Sequence, residues 1–274
     1  MQTFTSDTGR SFRLLDIAAM EANIGTTIGQ NIRHLRRLKK QTQAQLAEQM
    51  NMSVSQLKKY EKGEEIPRMH HACRLSILTG MAPLYLLKNS EYEKYFPDFF
   101  FDDDVLHCAD ALMHTPSTDI GLLFALLSQT QEVSYFDPHP LDRAAIPTML
   151  GDLEGKYYVD LSSNMRPWRQ AAGLSKEQMA MLLNLSLSTI HEYERPSEQR
   201  RFSVLIAARF GAVTGDDPAD MTKNSVYECF RRVQLARLAR CYKILQKQPN
   251  TERTCSVSWL QSWQRVCTSR HLNS

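Results

Sequence analysis

The chain has 274 residues, 42% of them hydrophobic and 23% charged, with a formal net charge of +3. That length and composition fit two or more folded domains and exclude a disordered or fibrous chain. Residues 28–68 hold nine Lys/Arg against four Asp/Glu, residues 91–160 three against fourteen, and residues 221–270 ten against two. Basic ends suit phosphate contact, and an acidic middle would be repelled by it.

In residues 1–25, Phe12, Leu14, Leu15, Ile17, Ala18 and Met20 predict a short amphipathic helix. It would form an arm that packs on the first domain or meets a partner copy. Thr26 or Thr27 caps the next helix, with Ile28, Ile32, Leu35 and Leu38 as its core face. Thr42 caps another, with Ala44, Leu46, Ala47 and Met50 as an apolar stripe. Asn51 tolerates a left-handed turn. Ser53 caps a further helix, in which Val54, Leu57 and Tyr60 recur every third residue until Gly63 ends it. The opposite face carries Ser55, Gln56, Lys59 and Lys62. Such donors and cations suit base edges in a major groove. Pro67 opens a fourth helix ended by Gly80, and Pro83, Leu84, Leu86 and Leu87 predict a fifth. His70, His71 and Cys73 lack a fourth ligand, so no metal is expected.

The motif Thr42-Gln43, Leu46-Ala47, Asn51, Ser53, Leu57 and Glu61 before Gly63 resembles the helix-turn-helix of the Cro and phage-repressor type, the XRE family. The resemblance covers roughly residues 28–88. It implies a five-helix domain that binds double-stranded DNA. Gln43 would bond a phosphate. Behind the cap at Ser53, Val54, Ser55, Gln56 and Lys59 would lie against base edges. Lys58 and Lys62 would sit near the backbone. Val54 departs from the pattern, since several relatives carry glutamine there. It can meet only a thymine methyl.

Tyr92 to Asp104 mixes aromatics with Asp98 and Asp102 to Asp104, which can cap a helix over 105–114. Thr118 or Asp119 caps an almost wholly apolar helix over 120–127, to be buried in the fold or in a subunit interface. Residues 134–140 are a turn-rich break. Beyond it the chain repeats. Shifting by 133 positions aligns 31–61 with 164–194, and ten pairs are identical: Asn31/Asn164, Arg33/Arg166, Arg36/Arg169, Gln45/Gln178, Ala47/Ala180, Asn51/Asn184, Ser53/Ser186, Ser55/Ser188, Tyr60/Tyr193 and Glu61/Glu194. In this second copy Lys176 replaces Gln43, and Ser186, Ser188 and Thr189 fill the cap and base-facing positions. Leu187 replaces Val54, Glu192 replaces Lys59 and Pro196 replaces Gly63. Arg195, Arg200 and Arg201 follow, placed for backbone contact. Gly211 ends this copy's fourth helix. Thr222 then caps a long helix to about residue 246. Arg231, Arg232, Arg237, Arg240, Lys243 and Lys247 line its polar side, for dimerisation, DNA clamping or domain packing. A last helix over 257–268 carries Trp259, Leu260, Trp263 and Val266.

The expected fold is all-α: an arm (1–25), two lambda-repressor-like five-helix domains (26–90 and 161–216), an acidic helical spacer (91–160) and a basic helical extension (217–274). The expected function is sequence-specific regulation of transcription: two unequal readers in one chain predict an asymmetric or composite site, and the homodimer expected of it would add a palindrome. Activation would add a contact between the acidic middle and RNA polymerase. The alternative is an antitoxin or anti-repressor whose second domain serves dimerisation. No phosphate loop, nucleophile elbow or zinc spacing is present, so no enzyme and no cofactor are expected. The six cysteines form no CxxC pair. With no leader or long apolar run, a cytoplasmic location with reduced thiols and no membrane is expected.

Overall fold

The computed structural model describes residues 2–129, 135–139, 143–197 and 202–271. Ser134, Pro140, Arg200 and Arg201 lie outside the described residues, as do the side chains of Val266 and Cys267. The described chain is mostly helical. Among its helices none is long and apolar enough to cross a membrane.

The N-terminus departs from expectation. Residues 3–5 and 11–13 form an antiparallel hairpin, β1 (Thr3–Thr5) and β2 (Ser11–Arg13), with Phe4 opposite Phe12. Gly9 closes its turn at φ +79°, a conformation that costs a residue with a Cβ. Only α1 (Ile17–Met20) is helical. The apolar spacing suggested a helix from Phe12, but the Thr/Phe alternation and the glycine turn prevail. The hairpin docks on the second half: Thr8 donates to the Ala172 carbonyl (3.1 Å) and Arg13 to that of Ala212 (2.7 Å).

Next come α2 (Ile24–Leu38), α3 (Gln43–Gln49), α4 (Val54–Lys62) and α5 (Met69–Thr79). Helix α2 begins before Thr26, and no side chain caps it. In α3, Leu46 and Ala47 are buried but Ala44 faces solvent. Helix α5 starts two residues after Pro67, whose carbonyl instead accepts from the Val204 amide (3.0 Å). Gly80 ends α5 at φ +78°, and a 3-10 turn, Pro83–Leu87, follows.

The middle holds α6 (Asp103–His114), α7 (Ile120–Ser128) and α8 (Ile146–Asp152). Asp102 caps α6 through the Val105 amide (2.9 Å). The acidic triplet is also neutralised within the molecule. Asp102 and Asp104 both pair with Arg253, and Asp103 with Lys88. The apolar side chains of α7 are buried except at Leu122 and Leu126, which are about half exposed. Neither Thr118 nor Asp119 caps it with a side chain.

The second half comprises α9 (Lys156–Ala171), α10 (Lys176–Leu182), α11 (Leu187–Tyr193), α12 (Val204–Thr214), α13 (Val226–Leu245) and α14 (Asn250–His271). Gly211 lies inside α12, which Gly215 ends at φ +75°. Thr222 lies in a 3-10 turn, Pro218–Thr222, so α13 begins only at Val226.

Two apolar cores result. One gathers Ile28, Leu46, Leu57, Leu84, Leu112 and Leu123. The other gathers Phe12, Tyr157, Ile190, Phe210 and Tyr227. Helix α13 runs through both: Tyr227, Phe230 and Val233 enter the second, and Leu238, Cys241 and Leu245 the first. Its basic side is therefore partly internal. Arg231 is buried over the Phe100 ring. Arg237 is wholly buried against Asp137 (2.5 Å) and donates to the carbonyls of Leu112 and Thr115. Of the roles open to α13, packing is the one these contacts describe.

Candidate nucleic-acid interface

Helix α4 is anchored at both ends by its own sequence. The Ser53 hydroxyl accepts from the Gln56 amide (3.1 Å), leaving one fewer unsatisfied donor at the helix start. Gly63 ends the helix at φ +77°. The preceding turn passes through Asn51 at φ +52°, and the Thr42/Gln45 capping box fixes the start of α3. Leu57 and Tyr60 face the core. Ser55, Lys58, Lys59 and Lys62 are then exposed, Val54 lies at the margin, and Gln56 is half-buried. The helix thus offers one cationic, hydrogen-bonding face of major-groove width.

Close helix packing sets the height of that face. A Cβ at Gly29 would stand 2.5 Å from the Tyr60 carbonyl oxygen and 2.7 Å from that of Glu61. One at Gly63 would meet the Gly25 backbone at 2.5 Å. Only glycine lets α2 cross α4 this closely.

Glu61 is the hub of the motif. Its buried carboxylate accepts from Arg36 Nε (2.6 Å), Arg36 Nη2 (3.2 Å) and Gln43 Nε2 (2.8 Å), while Arg33 donates to its carbonyl (2.9 Å). Burial pushes the carboxyl pKa up, but the bonds from Arg36 and Gln43 outweigh it and hold it below the usual value. Three helices are locked by one side chain, and Gln43 is oriented from behind. In the sequence Glu61 stood only as a position in the pattern. Its link to Arg36 was visible in the pairs Arg36/Arg169 and Glu61/Glu194, which repeat together.

Glu65 was not foreseen. It accepts from Gln56 Nε2 (2.7 Å) and Lys59 Nζ (2.7 Å), two of the side chains expected to read bases. The Lys59 bond lowers the Glu65 pKa, and the same bond raises that of Lys59. A carboxylate thus occupies the donors of two side chains on this exposed face.

Helices α9 to α11 repeat these bonds. Arg169 engages Glu194 through Nε and Nη2 and donates to the Leu174 carbonyl, as Arg36 does to that of Gln41. Asn164 donates to the carbonyls of Met221 and Lys223, as Asn31 does to those of Leu86 and Lys88. Asn184 turns at φ +49° and Ser186 caps α11 through the Thr189 amide (3.0 Å). The outward face differs. Ser186 Oγ joins Ser188 Oγ (2.8 Å) and Thr189 Oγ1 (2.7 Å). Lys176 reaches His191 Nδ1 (2.9 Å), and Arg195 is exposed. Met181 and Leu187 are exposed apolar side chains.

His71 is bonded to Tyr60 (3.0 Å), His70 to Tyr158 (2.7 Å), and Cys73 lies 3.4 Å from the Tyr157 hydroxyl. That cluster is built into the core.

Residues 32–86 match the family model described as helix-turn-helix. The match spans about a fifth of the chain and contains α3, the Asn51 turn and α4. Those residues form a helix-turn-helix of the XRE type, a DNA-binding family. No curated protein and no solved structure matches the chain.

Proposed function

We propose that the protein is a transcriptional regulator that binds double-stranded DNA at specific sequences, reading it with α4 and, more weakly, with α11. The observation that carries this is the α4 face, cationic and exposed, held on the Glu61 hub within the matched segment. Ser55, Gln56 and Lys59 lie against base edges, and Val54 touches a thymine methyl. Gln43, Lys58 and Lys62 hold the phosphates and fix the register. In the second unit Ser188 and Thr189 face the bases behind the Ser186 cap, while Lys176 and Arg195 meet the backbone. The proposed domains are 26–90 and a second unit wider than the expected 161–216, from α9 through the Pro218–Thr222 turn, with the hairpin docked on it rather than a free arm. Because Asp102 to Asp104 are paired with Arg253 and Lys88, occupancy of a promoter, and so repression, is favoured over an acidic contact with polymerase.

A second reading has one observation in its favour. Met181 stands where the first unit has Glu48, and Leu187 where it has Val54. Both are exposed. That surface would suit a protein partner, as in an antitoxin or anti-repressor.

Selection of bound duplexes from a random pool by the full chain tests the proposal. A defined motif is expected. Gln56→Ala and Lys59→Ala should each weaken its binding by about 1–3 kcal/mol and relax one position of it. Gln43→Ala should weaken all duplexes alike. Equal losses on selected and random DNA for all three variants would remove the base-reading assignment.

A further inference from the structure

Two ion pairs that cross between the two helical units are reciprocal. Arg74 on α5 donates to the Leu150 carbonyl (2.8 Å) and meets Glu154 (3.2 Å), which lies just before α9. Arg209 on α12 meets Glu21 (2.6 Å), which lies just before α2. Arg209 is the repeat counterpart of Arg74, and Glu154 that of Glu21: α5 and α12 are offset by 135 positions, α2 and α9 by about 133. An arginine of each unit therefore holds the same glutamate of the other.

Between these pairs the chain meets itself. Arg68 and Ser203, counterparts at the α5–α12 offset, face each other in an antiparallel bridge. The Met69 amide donates to the Phe202 carbonyl (2.7 Å) and the Val204 amide to that of Pro67 (3.0 Å). An antiparallel bridge maps onto itself by a half-turn. When the two residues it joins are counterparts, that half-turn exchanges the units. Translation along the chain cannot produce self-pairing of this kind. The contact is of the isologous type that joins the two subunits of a symmetric dimer.

We infer that one chain carries an internal two-fold axis at Arg68/Ser203 and therefore reads, alone, an inverted repeat of two unlike DNA half-sites. This rests on the proposal that both units read DNA. Distance permits it. From Gly63 at the end of α4 to Arg68 is five residues, which span at most about 18 Å. A half-turn about the bridge carries that point to a counterpart within about 36 Å, so the roughly 34–36 Å recurrence of half-sites on one face of B-DNA is within reach. Operator symmetry follows protein symmetry, so a half-turn between readers requires inverted half-sites. Direct repeats would require a translation.

The test makes the two readers alike. Leu187→Val, Thr189→Gln and Glu192→Lys give α11 the base-facing residues proposed for α4, Val54, Ser55, Gln56 and Lys59. The variant and the unaltered chain each select duplexes from a pool with a random 30-base-pair core, and complex mass gives the chains bound per duplex. The variant should recover a palindrome, two inverted copies of one half-site about one turn apart, with one chain per duplex. The unaltered chain should recover two unlike half-sites at the same fixed spacing. Inserting five base pairs between them should cut binding to that of a duplex with one half-site. Direct repeats, freely variable spacing or two chains on one palindrome would overturn the inference. A single half-site from both proteins would also overturn it, while leaving DNA reading by α4 intact. If the unaltered chain enriched no motif, the proposed function would itself fail. Should the variant not fold, the spacing and mass of the unaltered complex decide.

Discussion

Glu61 concentrates more of the candidate interface than any residue on its exposed face. Its carboxylate is buried and ionised against Arg36, Arg33 and Gln43. Removing one partner of such a pair leaves the other charge buried and unanswered, so Glu61→Ala should cost about 3–5 kcal/mol in denaturant unfolding. The pH dependence has a definite sign. The Glu61 pKa is lowered in the folded protein, as is that of Asp110 beside His114 and Lys39. A depressed carboxyl stabilises the fold above its unfolded value, about 4, and that stability is lost as pH falls through the folded one. The melting temperature should hold from pH 7 to about 5 and drop below about 4, less steeply in Glu61→Gln. Glu65 acts in the other direction. It accepts from Gln56 and Lys59 and, on the proposed reading, competes with DNA for them, but its pair with Lys59 is exposed and thus weak. Glu65→Ala should tighten DNA binding roughly threefold at low salt, and equal affinity in both proteins would show that the contact does not compete.

At the scale of the element, Gly29 sets how near α2 comes to α4. Gly29→Ala forces the helices apart and should cost about 1–3 kcal/mol, measured by chemical unfolding. The counterpart of Gly29 is Ser162, buried with its hydroxyl unbonded, and that of Gly25 is Tyr158. The second unit thus carries side chains where the first crosses on bare backbone. The elements that were legible in the sequence are those whose signals are local. Thr42, Ser53, Asn51, Gly63 and Gly80 each act on neighbours a few residues away, and their caps and turns lie where the residue types put them. The elements misread depend on distant partners. Pro67 is drawn into a bridge with the segment before α12, so α5 starts late. The hairpin's apolar residues had a helical spacing, and only its docking near Ala172 and Ala212 shows which period mattered. The exposed face of α4 was legible because its core face was. Glu65, beyond the helix end, bends back onto that face with no signal in spacing alone.

Across the whole molecule, the acidic middle and the basic C-terminus satisfy each other. Arg253 meets Asp102 and Asp104, and Arg237 meets Asp137. Neither half of that charge pattern is simply a surface. Asp137→Ala would strand the Arg237 guanidinium between α13 and α6 and should cost about 3–5 kcal/mol, seen as a lowered denaturant midpoint. The same helix α13 enters both cores, so unfolding should be a single transition by circular dichroism and by tryptophan fluorescence together. Through that shared helix the two helical units are held together, as any reading of two half-sites at set spacing demands. The claim beneath all of this is that α4 enters a major groove with Lys59 against a base edge. Methylation protection reads it most directly, because dimethyl sulfate attacks guanine N7 in that groove. On the selected duplex the chain should shield guanines within the motif, and Lys59→Ala should re-expose one of them while its neighbours stay shielded. If no guanine is shielded, or Lys59→Ala weakens all of them equally, α4 does not read the groove as described.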